Sequence, residues 1–155
     1  MAHRFVYTDR VQFADTDMAG IMHFANFFRF LERAEHAFFR SLGLSIAESQ
    51  GIVPDERVGW PRVHASCDYH APLRFEDVVE IEILLEDVRS KSIRYLFRVR
   101  KEDRTLCAEG RMAVVCVQKD PATGEMKSVE IPERIKSKIE ASPADLLKRP
   151  PHSKS

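Results

Sequence analysis

Cysteine is scarce. Cys67, Cys107 and Cys116 are the only three in 155 residues, and they lie far apart. That excludes a disulfide framework or a zinc knuckle, and fits reduced thiols filling strand positions in a cytoplasmic protein. Long apolar runs are missing too. No stretch approaches the roughly 20 residues of a membrane-spanning helix, and the opening Met-Ala-His-Arg-Phe-Val-Tyr-Thr has no signal-peptide core. Net charge is absent, since 24 basic side chains balance 24 acidic ones. No whole-molecule field draws the chain to nucleic acid or to an anionic membrane. His64 and His70 match no metal-ligand spacing with the cysteines, so no metal is expected. Internal repeats and low-complexity tracts are lacking.

What is present is enough apolar sequence, 44% of residues, to give one domain a real core. Arg4 to Phe13 reads as a strand with a polar interruption at Thr8–Arg10, and Ala14 to Gly20 as a loop of small and acidic residues. A helix is expected from Ile21 to Leu42, closed by Gly43 and about 33 Å long at about 1.5 Å per residue. Phe24, Phe28, Leu31, Ala34, Phe38 and Leu42 recur along it at three- and four-residue steps. Phe27, Phe30, Ala37 and Phe39 widen that stripe beyond the ~100° of an ordinary surface helix. Such a rod needs wrapping on several sides, and a curved sheet would do it.

A short helix is expected at Ser45–Gln50, and from Gly59 the pattern turns to β. Strands are expected at Arg62–His70, Val79–Glu86, Ile93–Arg100 and Leu106–Gln118, with a short return near Met126–Val129. Glutamates alternate on the second of these and arginines on the third, which predicts cross-strand ion pairs of structural value. The order predicts an α+β fold, one antiparallel sheet around one long helix, over residues 1–131. Residues 132–155 are expected to form a short helix from Pro132 to Glu140 and a loosely ordered tail from Ala141. A sheet of this kind has two edges, and dimer formation through one would cover it.

The most informative segment is Asp15-Thr-Asp-Met-Ala-Gly-Ile-Met-His-Phe-Ala-Asn-Phe-Phe. It puts Asp17 at the mouth of the apolar helix, where unpaired amides and a partial positive charge gather. Those amides can bind a polarised carbonyl oxygen while a carboxylate attacks it or activates water. Asp17 can equally serve as a helix N-cap. Asp15 suits a structural role on the loop's own amides. Gly20 is either a turn glycine or a place for close substrate approach. Glu32 and His36, four apart, can pair on the helix surface, and with Glu35 they occupy positions suited to a subunit interface.

The stretch Val11-Gln-Phe-Ala-Asp-Thr-Asp-Met-Ala-Gly-Ile-Met-His-Phe-Ala-Asn-Phe, feeding a helix and then an antiparallel sheet, resembles the hotdog-fold acyl-CoA thioesterases. It looks most like the 4-hydroxybenzoyl-CoA thioesterase group, over about Phe5 to Val117. The resemblance implies a thioester hydrolase with Asp17 as catalytic carboxylate, Gly20 in the loop, and the backbone N–H of Phe24 polarising the thioester carbonyl. It implies that Arg89, Lys91 and Ser92, in a basic turn between strands, hold coenzyme A phosphates. Phe24 or Phe27 would line the acyl pocket. Dimers with sites at the subunit interface, often paired into tetramers, would follow, with no metal or redox cofactor. Relatives often carry Tyr-His or Asn-Asn where this chain has His23-Phe24, which leaves His23 a role in orienting water or substrate. Hotdog hydratases place a histidine five residues after their aspartate, whereas Asp17 and His23 are six apart, against hydration chemistry. The alternatives are a thioesterase acting on acyl carrier protein and a non-catalytic acyl-CoA-binding module.

Overall fold

Aromatic side chains at helical spacing build the centre. In the computed structural model, which describes residues 1–46 and 57–148, helix α1 spans Asn26–Ser41. Phe27, Phe30, Leu31, Ala34, Phe38 and Phe39 are all buried on it. Its C-terminal end is a Schellman turn: Gly43, at φ +73°, donates its N–H to the Arg40 carbonyl, and the Leu44 N–H reaches Phe39. Glycine takes that left-handed φ without a Cβ clash.

The helix starts five residues later than the expected Ile21, so its 16 residues make a rod of about 24 Å. Two amides ahead of it are committed elsewhere. Thr16 bridges Met22, the Met22 N–H donates to the Leu73 carbonyl at 2.7 Å, and the His23 N–H donates to Asp15 at 2.9 Å. Phe24 consequently stands outside the helix and is 63% exposed rather than part of the core. The expected helix at Ser45–Gln50 lies, beyond Ile46, outside the described residues.

Five strands form one antiparallel sheet: β1 (Arg4–Arg10), β2 (Arg62–Tyr69), β3 (Val78–Val88), β4 (Ser92–Lys101) and β5 (Leu106–Val115), in the order β1-β3-β4-β5-β2. Thr8–Arg10 is no interruption, because all three residues pair with β3. The long last strand breaks at Cys116. Val117–Lys119 (β6) pairs with Met126–Ser128 (β7) in a separate small hairpin. The main sheet packs one face on α1, giving the expected α+β hotdog architecture. A Cβ on Gly110 of β5 would stand 2.8 Å from Leu31 Cδ1 and 3.3 Å from the Ser66 carbonyl, so glycine sets the helix-to-sheet spacing there.

The other face carries the expected charge ladder. Glu80 lies opposite Arg100 and Glu82 opposite Arg98. Glu82 also reaches Arg4 on β1 and Arg100 on β4, and Arg98 approaches Glu109 on β5 at 3.5 Å. The expected C-terminal helix is one turn, α2 (Glu133–Lys136), followed by another, α3 (Ala144–Leu147). The tail, expected to be loose, is held as far as Lys148. Buried Ser142 donates its N–H to the Leu85 carbonyl at 2.7 Å, and Arg98 donates to the carbonyls of Leu146 and Lys148 at 2.8 and 2.7 Å. Ion-paired arginine is a good donor for such orphan carbonyls.

Two outcomes test this packing. Gly110→Ala should cost about 1–3 kcal/mol by overpacking, measured by urea unfolding, and an unchanged midpoint would show that Leu31 can retreat. Burial alone would raise the Glu82 carboxyl, but Arg4 and Arg100 outweigh it and hold it below its ordinary value. A depressed folded-state value stabilises the fold above the unfolded pKa, about 4.3, and that contribution disappears as pH falls through the folded value. Glu82→Gln should therefore lower the melting temperature at neutral pH and make its fall below about pH 4 shallower, followed by circular dichroism.

Candidate active site

The loop between β1 and α1 is tied down residue by residue. Phe13–Asp15 is a single 3-10 turn, closed by the Asp15 carboxylate, which accepts the Gln12 N–H at 2.8 Å. The Asp15 carbonyl accepts both the His23 N–H at 2.9 Å and the Asn26 side-chain amide at 2.8 Å. Asp15 thus does structural work on backbone amides and joins the loop to the first residue of α1.

Asp17 opens the next turn. The Gly20 N–H donates to its carbonyl at 3.0 Å, and its own N–H donates to Ile21 at 3.1 Å. Its Oδ1 accepts the Ala19 N–H at 2.9 Å. This carboxylate braces a turn and does not cap α1, whose cap position is Ala25 and has no side-chain cap bond. Asp17 is exposed, and among the described residues its Oδ2 has no partner. Gly20 has φ +78°, and a Cβ there would meet nothing within 4 Å. Backbone conformation, not crowding, accounts for glycine at this position.

His23 and Tyr69 hold the Phe24–Ala25 peptide group from its two ends. His23 Nδ1 accepts the Ala25 N–H at 3.3 Å, which puts the proton of a neutral ring on Nε2. The Phe24 carbonyl accepts the Tyr69 hydroxyl at 2.8 Å. The Asn26 N–H turns back to the His23 carbonyl at 2.9 Å. One amide in this run, that of Phe24, has no hydrogen-bond partner among the described residues. Had the helix begun at Ile21 with Gly20 as cap, this N–H would have made the first helical bond. The late start leaves it open. His23 stacks at 4.7 Å on the exposed Phe24 ring, while Phe27 is buried against Tyr69, edge to face at 4.9 Å.

The basic turn lies elsewhere. The Arg89 guanidinium pairs with Asp87 at 2.7 Å, its N–H donates to the Ser92 carbonyl, and the Lys91 carbonyl accepts the Cys116 N–H. Arg89 and Lys91 are exposed, and Ser92 opens β4 opposite Val115. The acidic loop is bonded to residues 73–77, just before β3 begins, whereas Arg89 follows its end. Eleven residues of strand separate them, about 36 Å at about 3.3 Å per residue. One chain therefore does not bring Arg89, Lys91 and Ser92 to Asp17.

Comparison with known proteins decides the family. The family model of the thioesterase-like superfamily matches residues 11–139. The chain belongs to that superfamily. It is similar to the acyl-CoA thioester hydrolase YbgC of Escherichia coli, 31% identical over 131 residues that cover 84% of this chain and 92% of that one. Among solved structures, a gentisyl-coenzyme A thioesterase is 30% identical with a TM-score of 0.72, covering 85% of this chain and 99% of that one. The 4-hydroxybenzoyl-CoA thioesterase of Pseudomonas superposes with a TM-score of 0.76, over 87% and 99% of the two chains, but at 24% identity shows the fold alone. The protein is a hotdog-fold thioester hydrolase.

Sequence reasoning about this thioesterase missed Tyr69. It ends β2, and its partners Phe24 and Phe27 are more than forty positions away, so no local pattern pointed to it. Burial and the neighbouring Cys67 thiol push its phenol up to about 12, so the hydroxyl keeps its proton and remains a donor. Also unforeseen was the anchor of β2 on the helix. Arg62 grips buried Glu35 through both carboxylate oxygens, at 3.0 and 3.3 Å, and reaches Glu32 at 3.1 Å. Glu32 is therefore paired with Arg62 rather than the expected His36.

Proposed function

We propose that this chain hydrolyses an acyl-CoA thioester to a free acid and coenzyme A, with Asp17 as base or nucleophile. The observation that carries the reading is the open Phe24 amide in the same tied loop as the exposed Asp17 carboxylate. An amide already held in place needs no reorganisation when negative charge develops on the thioester oxygen. Asp17 either takes a proton from the attacking water, or attacks the carbonyl carbon to form an acyl anhydride that water then hydrolyses to the free acid; on both routes the coenzyme A thiolate leaves. Gly20 shapes the turn that presents Asp17, and His23 holds the Ala25 amide. Exposed Phe24 offers apolar surface to the acyl group, whereas the expected Phe27 is buried behind Tyr69.

The proposed binding of coenzyme A phosphates at Arg89, Lys91 and Ser92 needs a second copy. Strand β2 is an edge strand, with exposed Val63 and Tyr69 and exposed residues through its middle. Two such edges joined about a twofold axis run antiparallel. Tyr69 lies at the Asp17 end of the sheet and Arg62 at the Arg89 end, so pairing would set one copy's basic turn beside its partner's acidic loop. A homodimer, or a dimer of dimers, follows from this reading. Among the described residues no helix is long and apolar enough to cross a membrane, and three free cysteines suit a cytoplasmic setting.

The test is a hydrolysis screen over acetyl-, isobutyryl-, octanoyl- and benzoyl-CoA, following thiol release. Asp17→Asn should slow turnover of the best substrate at least about a hundredfold, the scale of a positioned base. Near-normal thiol release by that variant would rule out the mechanism, and a matched acyl carrier protein thioester cleaved faster would shift the substrate class. Arg89 and Lys91 reversed together to glutamate should raise KM with little change in kcat. A change in melting temperature alone would remove the phosphate assignment.

A further inference from the structure

The Phe24 carbonyl lies one residue ahead of the cap of α1, where a longer helix would use it as an acceptor. It is instead taken by the Tyr69 hydroxyl at 2.8 Å. The other end of the same peptide group, the Ala25 N–H, is taken by His23 Nδ1 at 3.3 Å. The Phe24–Ala25 peptide is thus clamped between strand β2 and a loop side chain. With both of its groups engaged it cannot swing into the helical ladder.

From this clamp we infer that Tyr69 is a positioning residue for thioester cleavage, holding the Phe24 backbone where its free N–H can meet the substrate carbonyl. The inference rests on the proposed reading of that N–H as the carbonyl-binding donor. Tyr69 touches no reacting atom. It acts through the Phe24–Ala25 peptide on the adjoining His23–Phe24 peptide, which carries the free N–H and whose carbonyl is itself held by the Asn26 N–H at 2.9 Å, and the edge-to-face contact with buried Phe27 in turn fixes the phenol ring. Donors preset toward a developing oxyanion lose much of their effect when they are free to wander. The effect therefore belongs in the chemical step and not in ground-state affinity.

Tyr69→Phe removes the hydroxyl and keeps the ring against Phe27. It should lower kcat about tenfold, the scale of one hydrogen bond, with KM within a factor of about two and the melting temperature nearly unchanged. The substrate is whichever of acetyl-, isobutyryl-, octanoyl- and benzoyl-CoA the wild-type protein cleaves fastest. A second readout avoids turnover. With that thioester, isotopically labelled at its carbonyl, bound to the Asp17→Asn protein, the infrared carbonyl stretch should move to higher frequency when Tyr69→Phe is added, because the donor is less well aimed. Unchanged kcat and an unchanged stretch, in a protein whose Asp17→Asn variant is inactive, overturn the inference and leave the proposed function standing. So does a loss that only tracks a fall in melting temperature. If the wild-type protein cleaves none of the four thioesters, or Asp17→Asn cleaves as fast as wild type, the functional reading fails and this inference with it.

Discussion

Hydrogen bonds that stop α1 from growing backward set the backbone geometry at its start, and the proposed chemistry depends on that geometry. A run of apolar residues from Ile21 onward has helical spacing, and nothing in its composition prevents a helix there. The Met22 amide goes to Leu73, the His23 amide to Asp15, the Ala25 amide to His23 Nδ1 and the Phe24 carbonyl to Tyr69. The Ala25 amide and the Phe24 carbonyl would otherwise enter the helical ladder, and the Met22 and His23 bonds fix the loop ahead of it. With them diverted, the Phe24 amide is left with no acceptor among the described residues, and the Phe24 ring lies at the surface rather than in the core. A backbone donor becomes available for function because its neighbours are all occupied.

A second constraint is the length of the sheet. Strand β3 begins beside the acidic loop and ends at the basic turn, so its span keeps the two apart within a chain. In the proposed dimer, the open β2 edge, which carries Tyr69 at one end and the Arg62–Glu35 anchor at the other, would bring the two together. The same strand would then serve three purposes: bracing the helix, aiming the Phe24 peptide and joining subunits. The opposite face of the sheet is closed by its own ion ladder and by the carbonyls of α3 bound to Arg98.

Much of the architecture was readable from residue patterns. Alternation of glutamates on β3 and arginines on β4 foretold both strands and their pairing, since a two-residue period puts like side chains on one face. Gly43 marked the end of α1 for a local reason, the left-handed φ of a Schellman turn. The loop motif located Asp17 and Gly20 in a turn of the loop that precedes the helix. Errors fell where distant groups competed for backbone bonds. The helix start, the break at Cys116 and the docked tail were all settled by partners remote in the chain.

Local periodicity thus specified which segments are helix and strand and which faces are apolar, because those properties reside in neighbouring side chains. Long-range contact alone decided that α1 begins at Asn26, that Tyr69 reaches the Phe24 carbonyl, and that Asp17 and Arg89 lie at opposite ends. A backbone N–H or C=O makes its bond with whatever group the fold brings to it, and residue type along the chain does not record that choice.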